Sequence, residues 1–456
     1  MAKFASLVVT EIEKSYQKGF KILTCFFIGL VAWPFLRSIS TNNDLNIFYG
    51  AAQRLVSLEN LYSKPYSAEG WQLYYYYSPL FATLLAPFTF LPQFVVTHEV
   101  PFGLFILKIL WNCLNLYFVY QLFQFVRDLV NPPQNKAGLT FWIVLALVSY
   151  RWIFLNLLYG QMTILIVWGV VRAFQFLHSK KSKYFTGLAF GVNLKILPIF
   201  MVGQLFLMKQ WRAFFITVSL VIAMILLPFA YLPFQYHVEL LQSWMTNINP
   251  FSKNHIVELG EGGFIDFGAL VTKYLTGLNI EGENRVDWFS MGASGVFITT
   301  QLFRLLVLSS CCYWIRRFRN ISEQKKSILL MSIFMASIPL AFPHQRDYSL
   351  FMIWPLVLFV VKDWLISLKH DDVTLLKHDD VTLVKHEEIL PTWIKLGLFI
   401  GAFLMGLIVF FEALPFDIRA WISGYRIQGI GGLIFLLFGH CYLDWKVKNL
   451  HHEKTI

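Results

Sequence analysis

The sequence predicts an all-α polytopic membrane protein with about twelve membrane-crossing helices and amphipathic helices on its external side. Three observations predict it. Hydrophobic residues make up 57% of the 456 residues and charged residues only 14%, against roughly 25% charged in a soluble domain. Many windows hold about 20 mostly apolar residues, the length that crosses a hydrocarbon core of ~30 Å. Lysine and arginine gather in short loops between those windows, as cytoplasmic loops do under the positive-inside rule. The formal net charge of +11 therefore reads as orientation of the spans, and no nucleic-acid partner is expected.

The basic loops at 178–183, 209–212, 316–326 and 446–454 are placed in the cytoplasm with both termini. The spans then fall at 20–37, 101–127, 138–158, 161–178, 211–232, 291–315, 327–343, 347–366, 392–413 and 427–445. The first apolar run, Ile22 to Leu36, has no small-residue cleavage site after it and reads as a retained helix. The stretch 184–208 starts and ends at basic loops and is broken by Asn193, Lys195 and Pro198, which predicts two short helices that dip across and return. Tyr74 to Phe94 carries Pro79, Pro87 and Pro92 and predicts a short or re-entrant element, tolerated where protein or a watery cavity covers it.

The whole chain, 1–456, reads as one integral membrane domain. Segments 38–75, 233–290 and Phe342–Tyr348 share the external side, and chemistry is expected there. Segment 367–391 is a cytoplasmic loop holding the eight-residue repeat "KHDDVTLLKHDDVTLVKHEE". Its His370 and His378 sit on the wrong side without an apolar shell, so it reads as a solvated mixed-charge loop. Cys25, Cys113, Cys311, Cys312 and Cys441 all lie in apolar stretches, as small core residues do, and suggest neither a disulfide frame nor a metal site.

Within 38–75, residues 44–58 have helical periodicity. Ile47, Phe48, Ala51, Ala52 and Leu55 fall on one face, while Asn46, Gln53 and Arg54 lie off it. Such a helix lies in the interface with its apolar side toward lipid or the bundle. Asp44 stands at its start, where an N-cap carboxylate is favoured by the helix dipole.

The order Asp44, Phe48-Tyr49-x-Ala-Ala, Leu58-x-Asn-Leu-Tyr62, Tyr76-Tyr-Ser-Pro-Leu-Phe81 and Pro87 resembles one family. So do "LLYGQMTILIVWGVVRAF" (157–174) and "GLAFGVNLKILPIF" (187–200). They are similar to the family-87 glycosyltransferases, within the C superfamily of membrane transferases that use polyprenyl-phosphate sugars. That family includes the mannosyltransferases of mycobacterial phosphoinositide mannoside synthesis and related arabinosyltransferases. The resemblance covers about 40–210 and reaches weakly to His344–Tyr348. The chain departs from the pattern in its Tyr-Ser-Pro and in the added repeat. The resemblance implies a GT-C-type fold and an inverting hexosyltransferase, with mannose the expected sugar. It implies a polyprenyl-phosphate sugar donor and an external lipid or glycan acceptor, in a bacterial inner membrane with the site on the periplasmic side.

The residues suit that chemistry. A sugar phosphodiester carries a good leaving group, so it needs charge stabilisation rather than a strong general acid. The attacking hydroxyl needs a nearby carboxylate to take its proton. Asp44 is the candidate base; Glu59, further along, reads as a solvated end-of-helix residue. Lys195, His344 and Arg346 are candidate donor-phosphate ligands. Lys195 has snorkelling as its alternative, and Arg346 has a pair with Asp347. Gln161 begins a helix whose N-terminus points outward, where an anion or a sugar hydroxyl fits; a simple turn competes. Gln161, Tyr62, Tyr76 and Tyr77 are the candidate substrate-binding residues. Trp244, Asn247, Asn249, Phe251, Asn254 and Phe264 mix aromatic faces with amides as sugar sites do, and as headgroup-level loops do. His237 and His255 lack acidic partners at metal spacing, so no metal site and no cofactor is expected, a loosely held divalent ion on the phosphate being compatible. Two other functions fit part of the pattern. A lipid-linked-sugar transporter or flippase would also use broken helices and an intramembrane lysine. A glycan polymerase or ligase of the same superfamily would need more cations for a diphosphate-linked donor.

Overall fold

The computed structural model describes residues 31–68, 71–92, 94–97, 100–130, 136–179, 181–249, 252, 264–276, 291–376, 390–406, 418, 422 and 425–452. Among them the chain is mostly helical, and the strands are two short antiparallel hairpins. Helix α1 is seen over 31–40; the rest of the expected first span, the N-terminus and Cys25 lie outside the described residues. Then come α2 (Asp44–Val56), the hairpin β1 (Tyr66–Ala68) with β2 (Trp71–Leu73), and α3 (Pro79–Thr89). The hairpin β3 (Val95–Thr97) with β4 (Val100–Pro101) leads into α4 (Phe102–Val130). Helices α5 (Lys136–Leu158), α6 (Thr163–Gln175), α7 (Thr186–Leu194), α8 (Ile199–Leu207), α9 (Trp211–Leu226) and α10 (Phe234–Asn247) follow. The last third holds α11 (Phe267–Leu275), α12 (Ala293–Arg317), α13 (Glu323–Ala341), α14 (Trp354–Leu376), α15 (Thr392–Gly406) and α16 (Ile427–His452).

Among the described residues six helices are long and apolar enough to cross a membrane: Phe102–Val126, Thr140–Leu158, Trp211–Ala230, Ala293–Arg317, Asp347–Leu365 and Ile427–Asn449. Thr140–Leu158 and Asp347–Leu365 are mostly enclosed by protein, whereas Trp211–Ala230 and Ala293–Arg317 are mostly exposed. The enclosed pair lies inside the bundle and the exposed pair on its outer flank. Helix α13, expected at 327–343, is 19 residues long and buried from Lys326 to Ala341.

Several expectations need correction. The span expected at 161–178 is the 13-residue α6, about 20 Å long at 1.5 Å per residue, too short for a hydrocarbon core of ~30 Å. Its residues are apolar because protein surrounds them: ten of them are buried. The loop 233–290 is not an open loop throughout, because α10 and α11 lie within it. The loop 367–391 begins as helix, since α14 runs on to Leu376; His378 and the second half of the repeat lie outside the described residues, as do Phe251, Asn254 and His255. Cys113 and Cys312 face outward rather than into the core.

Other expectations match. The stretch 184–208 folds as α7 and α8, with an extended Lys195 and then Pro198 between them. The proline-broken segment after Tyr74 folds as the 11-residue α3, with Pro79 in its first turn and Pro87 inside.

Close approach of backbones holds α7 against α6. A Cβ added at Gly169 on α6 would lie 2.5 Å from the Gly187 carbonyl oxygen on α7. Glycines let two helices approach this closely, so α6 holds the start of α7, and the helix ends eight residues later at Lys195.

Candidate active site

Helix α2 starts where its sequence caps it. Asn43, not Asp44, is the N-cap: its Oδ1 accepts from the Leu45 amide at 3.1 Å, and its amide donates to Asn46 Oδ1 at 3.2 Å. This reciprocal arrangement is a capping box. It corrects the expected role of Asp44, which sits in the first turn with its carboxylate released for other partners. The apolar face, Leu45, Ile47, Phe48, Ala51, Ala52 and Leu55, is buried. It packs on α3 within the bundle, with Phe48 edge-on to Phe81 at 5.1 Å.

The C-terminus of α5 meets this helix start. Gly160 adopts φ +63, the Gly160 amide donates to Leu157 O at 3.2 Å, and the Gln161 amide donates to Asn156 O at 2.8 Å. These two bonds with a left-handed glycine are a Schellman cap. Asn43 Nδ2 donates to Leu158 O at 3.1 Å, tying the two helix ends together. Gln161 is buried, and its carbonyl accepts from Trp111 Nε1 at 3.3 Å and Asn115 Nδ2 at 3.2 Å. Its side-chain Nε2 donates to Asp44 Oδ2.

Three other segments reach the same place. The Phe342–Tyr348 turn carries His344 in the left-handed region, φ 59. The His344 ring stacks on Tyr76 at 5.3 Å and meets the edge of Phe264 at 5.4 Å. The Arg346 guanidinium lies over Phe264, 5.6 Å from the ring centre. The Lys195 ammonium lies 3.5 Å from Gln345 Oε1 and 5.5 Å from the Tyr348 ring centre. Helix α10 is held by Tyr236 donating to Glu59 O at 2.7 Å, Asn60 Nδ2 donating to Ser243 Oγ at 3.1 Å, and Trp244 Nε1 donating to Tyr76 O at 3.2 Å.

Together these segments line one cavity of about 160 Å³, close to the size that encloses a single benzene-sized ring. Asp44, Lys195, His344, Arg346, Tyr76 and Tyr77 all line it, with Asn247, Asn249 and Phe264. Burial pushes the Asp44 carboxyl up to about 6, against the opposing pull of Arg346, Lys195 and the Gln161 hydrogen bond. A carboxylate tuned to that range is suited to take a proton near neutral pH.

Two expected substrate contacts fall elsewhere. Gln161 is not among the lining residues; its Nε2 donates to Asp44 while its buried Oε1 has no hydrogen-bond partner among the described residues. Tyr62 is buried and donates to Tyr77 O at 2.8 Å, so it props the tyrosine run and does not line the cavity. His237, weighed as a ligand, faces Ile225 O at 3.0 Å.

Sequence reasoning missed Gln345 and Arg151. Gln345 is buried, lines the cavity and accepts from the Ile265 amide through its carbonyl at 2.7 Å; its place between His344 and Arg346 was the available signal. Arg151 pairs with Asp347 at 2.8 Å, so the alternative of an Arg346–Asp347 pair does not hold. The signal was an arginine inside an apolar span, which is rare without a partner.

Comparison with known proteins gives one family: residues 75–343 match the model described as glycosyltransferase family 87. No curated protein matches the sequence. The matched range holds Tyr76, Tyr77, Gln161 and Lys195 and stops before His344, so Asp44, His344 and Arg346 stand on their geometry.

Proposed function

The chain belongs to glycosyltransferase family 87, and from that premise we propose that it moves one hexose, with mannose the first choice, from a polyprenyl-phosphate donor to an external lipid or glycan. The observation that carries this reading is the cavity itself: one carboxylate faces Lys195, His344 and Arg346 across a wall of tyrosines. Asp44 takes the proton of the attacking hydroxyl. The cations hold the phosphate and stabilise the charge it gains as the sugar–oxygen bond breaks. Attack from the face opposite the phosphate inverts the anomeric centre. One acid suffices because the leaving group needs no protonation, in contrast to the carboxylate pair of hydrolytic glycosidases.

The donor enters sideways from the outer leaflet in this reading. Tyr74, 46% exposed, lies at the cavity's edge, and tyrosine at headgroup depth suits the boundary between chain and phosphate. The fold is of the GT-C type with about twelve crossings, in a bacterial inner membrane. The cavity opens to the periplasm and both termini are cytoplasmic.

The test is transfer by the purified full chain, supplied in parallel with prenyl-phosphate hexoses and nucleotide hexoses. Product is expected from a prenyl-phosphate hexose alone. Product from a nucleotide sugar, or from no prenyl-phosphate hexose, would refute the donor class.

A further inference from the structure

Helix α5 carries both halves of the cavity. Its C-terminal cap presents Gln161 to Asp44. Earlier on the same helix, Arg151 and Asn156 reach the turn that carries the cations: Arg151 pairs with Asp347, and Asn156 Nδ2 donates to Tyr348 O at 3.1 Å. The sequence of that turn sets a problem. Arg346 and Asp347 are neighbours, and an acid beside a cation in a poorly solvated site tends to neutralise it. Arg346 has φ −98 and ψ 170, extended backbone, and Asp347 begins the 3-10 turn Asp347–Ile353, so the chain changes direction between the two. Arg346 therefore lines the cavity while Asp347 turns to α5. The Arg151 side chain that meets it is only 4% exposed, so the pair is fixed rather than one of many surface geometries. A buried arginine within a span is costly unless it does something a neutral residue cannot.

We propose that Arg151 is a positioning residue: it sequesters the Asp347 carboxylate on α5, so that Arg346 presents its charge to the anionic donor. The inference rests on the donor-phosphate reading above. Without Arg151 the Asp347 carboxylate is left unpaired next to Arg346 in sequence, and it competes with the anionic ligand for that guanidinium. Removing both members of the pair, Arg151 and Asp347, removes that added competitor and leaves Asp44 facing Arg346 as in wild type.

The experiment is equilibrium binding of farnesyl phosphate to the full chain in lipid nanodiscs. The chains compared are wild type, Arg346→Ala, Arg151→Gln, Asp347→Asn and the Arg151→Gln/Asp347→Asn double variant. Binding is expected to weaken about tenfold or more in Arg346→Ala and Arg151→Gln, as when one partner of a buried charge pair is removed. The double variant and Asp347→Asn alone are expected to bind within about twofold of wild type, since the Asp347 charge is then gone and the other partners of Arg346 are unchanged. A structural role alone would lower the unfolding temperature of Arg151→Gln and leave its binding unchanged, which overturns the proposal. So does a tenfold loss in Asp347→Asn or in the double variant; the latter also decides the matter if Arg151→Gln does not fold. Undiminished binding by Arg346→Ala, or none by wild type, removes the donor-phosphate reading itself and this inference with it. Loss in Arg346→Ala with none in Arg151→Gln removes only the role of Arg151.

Discussion

Gln161 donates a hydrogen bond to the Asp44 carboxylate across 117 positions of sequence, and the two residues sit at helix ends that Asn43 ties together by donating to Leu158 O. This contact holds one carboxylate oxygen and leaves the other for the cavity. It follows that an amide in place of the acid keeps the contact, because its oxygen still accepts from Gln161. Asp44→Asn is expected to fold, to retain donor binding, and to lose transfer by ~10²-fold or more, the worth of a general base. Wild-type turnover by this variant would remove Asp44 from the mechanism.

The same substitution has a signed effect on stability. Burial raises the Asp44 carboxyl from its ordinary 3.8 to about 6. Above pH 6 the native state therefore holds a charge it disfavours, and the unfolded chain does not bear that cost. Asp44→Asn is expected to unfold at a higher temperature than wild type at pH 8. The gain should shrink as pH falls below about 6 and vanish only well below 3.8, where both folded and unfolded carboxyls are protonated. Thermal unfolding of both proteins across that range is the measurement, and a lower midpoint for the variant at pH 8 contradicts it.

Activity should follow the same group. Transfer needs Asp44 ionised, so kcat/KM is expected to rise with pH through about 6 rather than near 4. The Gln161 hydrogen bond and the Arg346 and Lys195 charges hold the value down against burial. Gln161→Leu removes one of those stabilisers and should move the acidic limb upward while lowering the plateau. A pH profile of the variant superimposed on that of wild type would show that Gln161 does not act through Asp44.

These relationships show what the sequence could and could not carry. The acid at the head of an amphipathic helix was legible because α2 is local: its periodicity and its polar start lie within 15 residues. Its register was less legible, since Asn42, Asn43 and Asp44 can each cap a helix and only the Leu45 and Asn46 bonds select Asn43. Gln161 was singled out at the right end of the right turn and given the wrong partner, because a Schellman cap fixes the turn without saying what packs on it. The Leu45 side chain, against which Gly160 lies, is what brings Asp44 there. The short α6 was misjudged as a crossing because a helix buried in protein and one facing lipid share an apolar composition. The Arg151–Asp347 pair spans 196 positions, a distance over which no local pattern points.

The glycine contacts give a prediction about distant control of Lys195. A methyl group at Gly169 would press on the Gly187 backbone, which has no flexible end to move aside. Gly169→Ala is expected to destabilise the protein by about 1–3 kcal/mol, the usual range for overpacking. It should also displace the α7–α8 break, weakening donor binding although residue 169 does not line the cavity. Gly203→Ala is the control, because a Cβ there meets nothing within 4 Å. Equal unfolding midpoints for the two variants would show that the α6–α7 approach is not tight.

His344 separates backbone from side-chain effects. Its φ of 59 lies where asparagine is several-fold enriched over most residues and alanine is strained. His344→Ala therefore mixes two losses, the ring and the turn. His344→Asn keeps the turn and removes the ring that stacks on Tyr76 and meets Phe264. If the ring contributes to the donor site, His344→Asn should fold like wild type, weaken farnesyl phosphate binding by a few-fold, and slow transfer. That loss should be smaller than the loss in Arg346→Ala, because the ring offers a single hydrogen bond to the phosphate where the guanidinium offers a bidentate charged pair. Binding and transfer by His344→Asn, measured beside Arg346→Ala, decide it. Wild-type values in the asparagine variant would leave His344 as a turn residue and place the phosphate contacts on Arg346 and Lys195.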